Sequence, residues 1–165
     1  MLKTLFGLAT LVGLLCLIGY AATGASPDSN GSDLGLTASA VREPNGPWRL
    51  QFELRYTGDT PLAVTEGSLP WKNPHDLLLV ARKLTGAGVS LSETNSPPRD
   101  LPSSSFTLNP GDTLSGSVNL SARLPELATA IRESDVILFW SHEVKSADSQ
   151  ALPRLNGGVV IPRQS

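Results

Sequence analysis

Two histidines occur in this chain, and each is followed by a carboxylate: His75-Asp76 and His142-Glu143. Imidazole and carboxylate are the donors of zinc centres, where three protein ligands and an open position make a catalytic site. Adjacent residues of an extended chain point to opposite faces, so each pair offers one ligand if its backbone is extended. Two or three ligands then remain, too few without help. The expectation is no metal and no cofactor, with His75 and His142 as structural or exposed imidazoles. A metal-dependent enzyme using both histidines is kept as a second alternative.

The other catalytic chemistries lack their spacing. No Gly-x-Ser-x-Gly accompanies the many serines, which lie mostly in turn sequences. A glycosidase pair would have to be drawn arbitrarily from 15 acidic residues. Gly157-Gly158 has neither the lysine nor the hydroxyl of a phosphate loop. The expectation is a protein that is not an enzyme.

The elements that would position any site begin after a distinctive leader. Lys3 precedes an uncharged run from Leu5 to Ala22, and the small residues Thr23-Gly24-Ala25 follow. That order is a secretory signal, read as residues 1–25, and it predicts an exported, periplasmic or secreted protein. Left uncleaved, the run is long enough to anchor the chain, since roughly 20 residues cross a bilayer; this is the only membrane contact expected. The single cysteine, Cys16, lies inside the run, so the remaining chain must rely on a core rather than on disulfides. The net charge of −2, with both signs interspersed, supplies no stripe for phosphates and argues against a nucleic-acid partner.

Residues 26–33 read as a flexible tether, and 34–165 as one domain. Period-two alternation marks strands at 34–40 and, most clearly, at Trp48–Thr57, where Trp48, Leu50, Phe52, Leu54 and Tyr56 share a face. Gly58-Asp59-Thr60-Pro61 then turns into a short strand, Leu62–Thr65, expected to be its antiparallel neighbour. A hairpin is expected over 77–91, and a long exposed loop over 92–105, which is rich in proline and serine. Asn109-Pro110-Gly111-Asp112 is a turn before a strand at 113–120. One short helix is expected over Leu124–Arg132, with Leu124, Leu127 and Ile131 on one face. The apolar strand Asp135–Val144 is expected to be central, covered on one side by the facing sheet and on the other by that helix. A last strand follows at Gly157–Ile161. The pattern is an all-β, antiparallel immunoglobulin- or fibronectin-III-like β-sandwich with one short helix.

Two stretches resemble the halves of a bacterial extracytoplasmic immunoglobulin-like domain: Leu54–Val64, with its "T-G-D-x-P-L" turn, and Leu108–Ser121, with its "P-G-D" turn and closing "N-L-S". Similar modules precede the catalytic domain of deuterolysin-type metallopeptidases and occur in bacterial proteinase-inhibitor-like proteins. The chain is also similar to small secreted proteins of unknown function from Gram-negative bacteria, through the "S-L-P-W-x-N" element at Ser68–Asn73 and the "D-V-I-x-F-W-S" strand at Asp135–Ser141. The resemblance covers most of 48–142 and implies architecture. It carries no catalytic residue across, because no His-Glu-x-x-His is present. It departs at Tyr56, where the pattern usually has an asparagine whose amide ties the turn.

Of three tryptophans, Trp48 and Trp140 are in phase with core positions. Trp71 lies between Pro70 and Lys72 outside any alternating run, and either plugs one end of the sandwich or stands exposed as an interface anchor. The expected function is a non-enzymatic exported domain that binds a protein or cell-envelope component. Its candidate contact surface is Trp71, Lys72, Asn73, His75, Pro97 and Arg99, from the 68–76 and 92–105 loops. The alternative is a proteinase inhibitor presenting the 92–105 loop.

Overall fold

A computed structural model describes residues 22–24, 33–44, 46–85, 88–94 and 104–164. The described strands are β1 (Ala22–Gly24), β2 (Leu34–Arg42), β3 (Trp48–Tyr56), β4 (Leu62–Thr65), β5 (Leu78–Lys83), β6 (Ser105–Leu108), β7 (Thr113–Asn119), β8 (Val136–Glu143) and β9 (Arg154–Ile161). Two short helices, α1 (Leu120–Arg123) and α2 (Leu127–Glu133), lie between β7 and β8. The protein is an all-β fold of antiparallel sheets: β1-β2-β3-β7, β5-β8-β9, and the ribbon β4-β6. No helix among the described residues is long and apolar enough to cross a membrane.

Alternation decides which face each strand buries. Leu34, Leu36, Ala38 and Ala40 of β2 and Trp48, Leu50, Phe52, Leu54 and Tyr56 of β3 are all buried, with the intervening polar side chains outside. Leu79 and Ala81 of β5, Val136, Leu138, Trp140 and His142 of β8, and Val159 and Ile161 of β9 are likewise buried. Phe52 and Trp140 meet edge-to-face, ring centroids 5.5 Å apart and planes at 88°. The inner faces of the two larger sheets therefore touch at this pair.

The 109–112 turn forms as its residues dictate. Gly111 takes φ +89°, Asp112 N–H donates to the Asn109 carbonyl at 3.0 Å, and Gly111 N–H donates to the Tyr56 carbonyl, also at 3.0 Å. At Tyr56 the hydroxyl donates to the Thr60 carbonyl at 2.5 Å, and a Cβ at Gly58 would fall 2.3 Å from that hydroxyl oxygen. A phenol lying over a glycine thus ties the turn between Tyr56 and Thr60.

Four expectations are corrected. β4 pairs with β6, not β3, because β2 and β7 occupy both edges of β3 and the chain leaves through Pro61. Two helices replace one: Asn119 caps α1 by accepting the Ala122 N–H at 3.0 Å, so Leu120 ends the strand and starts a helical turn. Leu124, Leu127 and Ile131 are nevertheless all buried, as their spacing requires. The helix does not cover the outer face of β8, where Phe139 is 48% exposed. In the hairpin expected over 77–91, the second arm reduces to a bridge between Arg82 and Ser90.

The signal read over 1–25 and the tether over 26–33 lie largely outside the described residues. Within them, Ala22–Gly24 pairs with Ala38–Ala40 as β1, and the Asp33 carbonyl accepts the Thr57 N–H at 2.7 Å.

Candidate functional site

The segment from Glu66 to Leu77 carries Trp71, Lys72, Asn73 and His75, four of the six candidate contact residues. Pro70 and Pro74 each lack an N–H, which favours short turns over a helix or strand here. The segment forms two single 3₁₀ turns, Glu66–Ser68 and Pro74–Asp76, joined by bends in which the Leu69 carbonyl accepts from Lys72 N–H at 3.0 Å and Asn73 N–H at 2.9 Å. Ser68, Leu69, Pro70 and Leu77 are buried. The Ser68 hydroxyl donates to the Thr65 carbonyl at 2.7 Å and accepts the Lys145 N–H at 3.0 Å, pinning the segment to the chain that leaves β8.

His142 lies beneath this segment with no exposed surface. Its Nε2 is 2.6 Å from the Ser68 carbonyl oxygen. A carbonyl only accepts, so Nε2 carries the proton and the neutral ring leaves Nδ1 as an acceptor; that atom has no partner. Burial pushes the imidazole below its ordinary value, the Ser68 carbonyl and the backbone and carboxylate of Asp76 pull it back in part, and Arg154 lowers it further. The ring is therefore neutral at neutral pH.

Glu143 follows His142 on the exposed face of β8, Asp76 is exposed, and His75 is half-buried on its 3₁₀ turn. Among the described residues, no three histidine, cysteine, aspartate or glutamate side chains converge to hold a metal.

Trp71 is half-buried and packs against the core. Its indole covers Gly116 of β7, where an added Cβ would sit 2.1 Å from the indole Cγ. Gly116 is also the register partner of Phe52, so the indole fills core space that β7 leaves empty. Gly116→Ala is expected to lower stability by about 1–3 kcal/mol through overpacking. Urea denaturation checks this, and Trp71→Leu in the same background should recover part of the loss; an additive pair would disprove the contact.

Lys72 is exposed and pairs with Glu66 at 2.6 Å. Together with the Ser104 hydroxyl at 2.9 Å it holds the Glu66 carboxyl below the usual range. Asn73 is half-buried, and Pro97 and Arg99 lie outside the described residues.

The residue that organises the far end of the segment was not apparent from the sequence. Arg123 of α1 donates to the Pro74 carbonyl at 2.6 Å and the Leu77 carbonyl at 2.9 Å, and pairs with Glu93. Nothing near Arg123 in sequence announces these partners, which lie 46 and 49 residues away.

A second surface lies on the outside of β5-β8-β9. Val80 stands opposite Phe139, Phe139 opposite Gly158, and Ile137 opposite Val160. Leu78 is 56% exposed, Val80 40% and Val160 41%. Directly paired positions have Cβ atoms about 4.5–5.5 Å apart, so these side chains form one apolar patch. Arg82 lies at one end of it and the Glu143–Arg154 pair at the other. Two clefts elsewhere, one beside Tyr56 and Leu152 and one beside Lys83 and Thr129, are about 250 Å³ each. They are smaller than ordinary ligand pockets of roughly 300–1,000 Å³.

No protein-family model matches the chain, and neither the curated proteins nor the solved structures yield a match.

Proposed function

We propose that this protein is an exported, non-catalytic β-sandwich domain of immunoglobulin type that binds a protein or cell-envelope partner through the outer face of β5-β8-β9. The observation that carries the reading is the apolar patch of Leu78, Val80, Phe139 and Val160 on that face. Grouped apolar side chains in water are a cost that a monomer without a partner has no reason to keep, and such patches mark interaction sites.

The strand order supports the immunoglobulin type. β2-β3-β7 and β5-β8-β9 follow the A-B-E and C-F-G order of the two halves of such a sandwich, with β4-β6 as an added ribbon. Phe52 and Trp140 then occupy the B and F strands, where antibody domains place their inter-sheet disulfide. An aromatic pair is the matching solution for a chain whose single cysteine lies in its leader. Export rests on that leader.

Lys72, Asn73 and His75 lie on the turn segment that leads into β5. Trp71 belongs to the framework on this reading, since its indole is committed to Gly116.

Phe139→Asp tests the assignment. An exposed position tolerates the charge, so stability should stay within about 0.5 kcal/mol of wild type. The envelope component cross-linked to the wild-type protein in its native cells should be lost. An unchanged cross-linking pattern from a folded Phe139→Asp protein would refute this surface.

A further inference from the structure

The contact between His142 and Ser68 joins the central strand of the β5-β8-β9 sheet to the segment that carries the two 3₁₀ turns. β8 is paired with β5 over Val136–Ser141 and with β9 over Val136–Glu143, so His142 itself is held by the β9 ladder. The segment above it is held by its ends: the Ser68 hydroxyl on Lys145 N–H at one, and Arg123 on the Pro74 and Leu77 carbonyls at the other. Between these anchors lies Trp71 over Gly116.

We propose that His142 and the 68–73 stretch form an acid-sensitive latch: protonation of the buried ring opens the stretch and lifts Trp71 off Gly116, exposing an indole that is half-buried at neutral pH. The reading is independent of the docking surface above.

The physical basis is where the second proton must go. Protonation leaves Nε2 donating to Ser68 and turns the unpartnered Nδ1 into a second donor, buried and charged. Asp76 favours that proton through its backbone and its carboxylate, but the charge remains buried unless the stretch above the ring opens to water. Opening from the β8 side breaks the β8–β9 ladder that carries His142, whereas opening from above disturbs two single 3₁₀ turns and the Trp71 contact. The charged groups acting on the ring are Asp76, from the turn above, and Arg154, from β9. Asp76 favours the proton and Arg154 opposes it, so neither removes the dominant cost of burial.

The sign follows from linkage. The closed form holds the ring below the value of 6.5 that it has in water, so the open form takes up the proton first. Closure is fully favoured above pH 6.5 and weakens as pH falls through it, the open population rising by up to about tenfold per pH unit until the closed ring also titrates.

The test is fluorine NMR of the protein labelled with 5-fluorotryptophan, with Trp71→Phe assigning one of three resonances. Between pH 7.5 and 4.5, the Trp71 signal should gain solvent-isotope shift while the Trp48 and Trp140 signals hold. His75→Gln, which removes the other histidine, should keep the response, and His142→Gln should abolish it. Should His142→Gln not fold, Gly116→Ala provides the second arm, because it should place the Trp71 signal near its acid position already at pH 7.5. The latch is overturned by an unmoved Trp71 signal, by all three signals moving together, by a response that survives in folded His142→Gln or disappears in His75→Gln, or by Gly116→Ala leaving Trp71 in its neutral position.

Discussion

Phe52→Ala is expected to remove about 3–5 kcal/mol of stability. Phe52 is fully buried at the middle of β3, and its ring meets Trp140 across the interior edge-to-face. Alanine removes the transfer free energy of a whole aromatic ring and leaves a cavity between two hydrogen-bonded sheets that cannot close over it. The aromatic pair adds about 0.5–1.5 kcal/mol beyond the buried area. Domains have only about 5–15 kcal/mol in total, so the variant should sit near the edge of folding at 37 °C. Urea denaturation at 25 °C measures it. A loss under about 1.5 kcal/mol would mean that the two sheets do not meet at this ring.

Arg123→Met is the second large effect, expected at about 3 kcal/mol. Its side chain is 14% exposed and that of its partner Glu93 is 19% exposed, so neither charge is fully solvated. Methionine preserves the length of the stem and leaves the Pro74 and Leu77 carbonyls and the Glu93 carboxylate without their donor. Hydrogen bonds to charged groups contribute roughly 1.5–3 kcal/mol each, and a carboxylate left unpaired adds to the cost. Arg123→Lys should recover little, because one ammonium cannot present the planar fork that reaches both carbonyls and the carboxylate. Lys72→Met, at an exposed pair, should leave stability near wild type. Thermal unfolding of the three variants side by side separates the buried contact from the surface one. Equal melting temperatures for Arg123→Met and Lys72→Met would remove the structural role assigned to Arg123.

Legibility in the sequence followed the range of the forces involved. β3 could be read residue by residue, because burial on one face imposes alternation locally. The Asn109–Asp112 turn was equally plain, since proline and glycine restrict their own dihedrals. The partner of β4 was not legible. Pairing depends on which edges remain free, and both edges of β3 are taken by strands that lie far from β4 in the chain. The helical segment was read one element short because Asn119, the cap that starts α1, also suits the end of a strand. At the candidate site, the facing of His142 and Glu143 followed from alternation, but the Ser68 carbonyl over the ring did not. A carbonyl has no sequence signature, and Ser68 is 74 residues from His142. Two of the three Arg123 partners are likewise backbone carbonyls, which have no sequence signature.

Three rings rest directly on glycine: Tyr56 on Gly58, Trp71 on Gly116 and Trp140 on Gly157, where an added Cβ would lie 2.3, 2.1 and 2.6 Å from the ring or its hydroxyl. Each pair is a unit of inheritance rather than two independent positions. A lineage that exchanges the glycine first must displace the ring, and one that shrinks the ring first opens a hole. Substitutions at these six positions should therefore travel in couples, leaving a record of the packing in any set of diverged descendants of this chain.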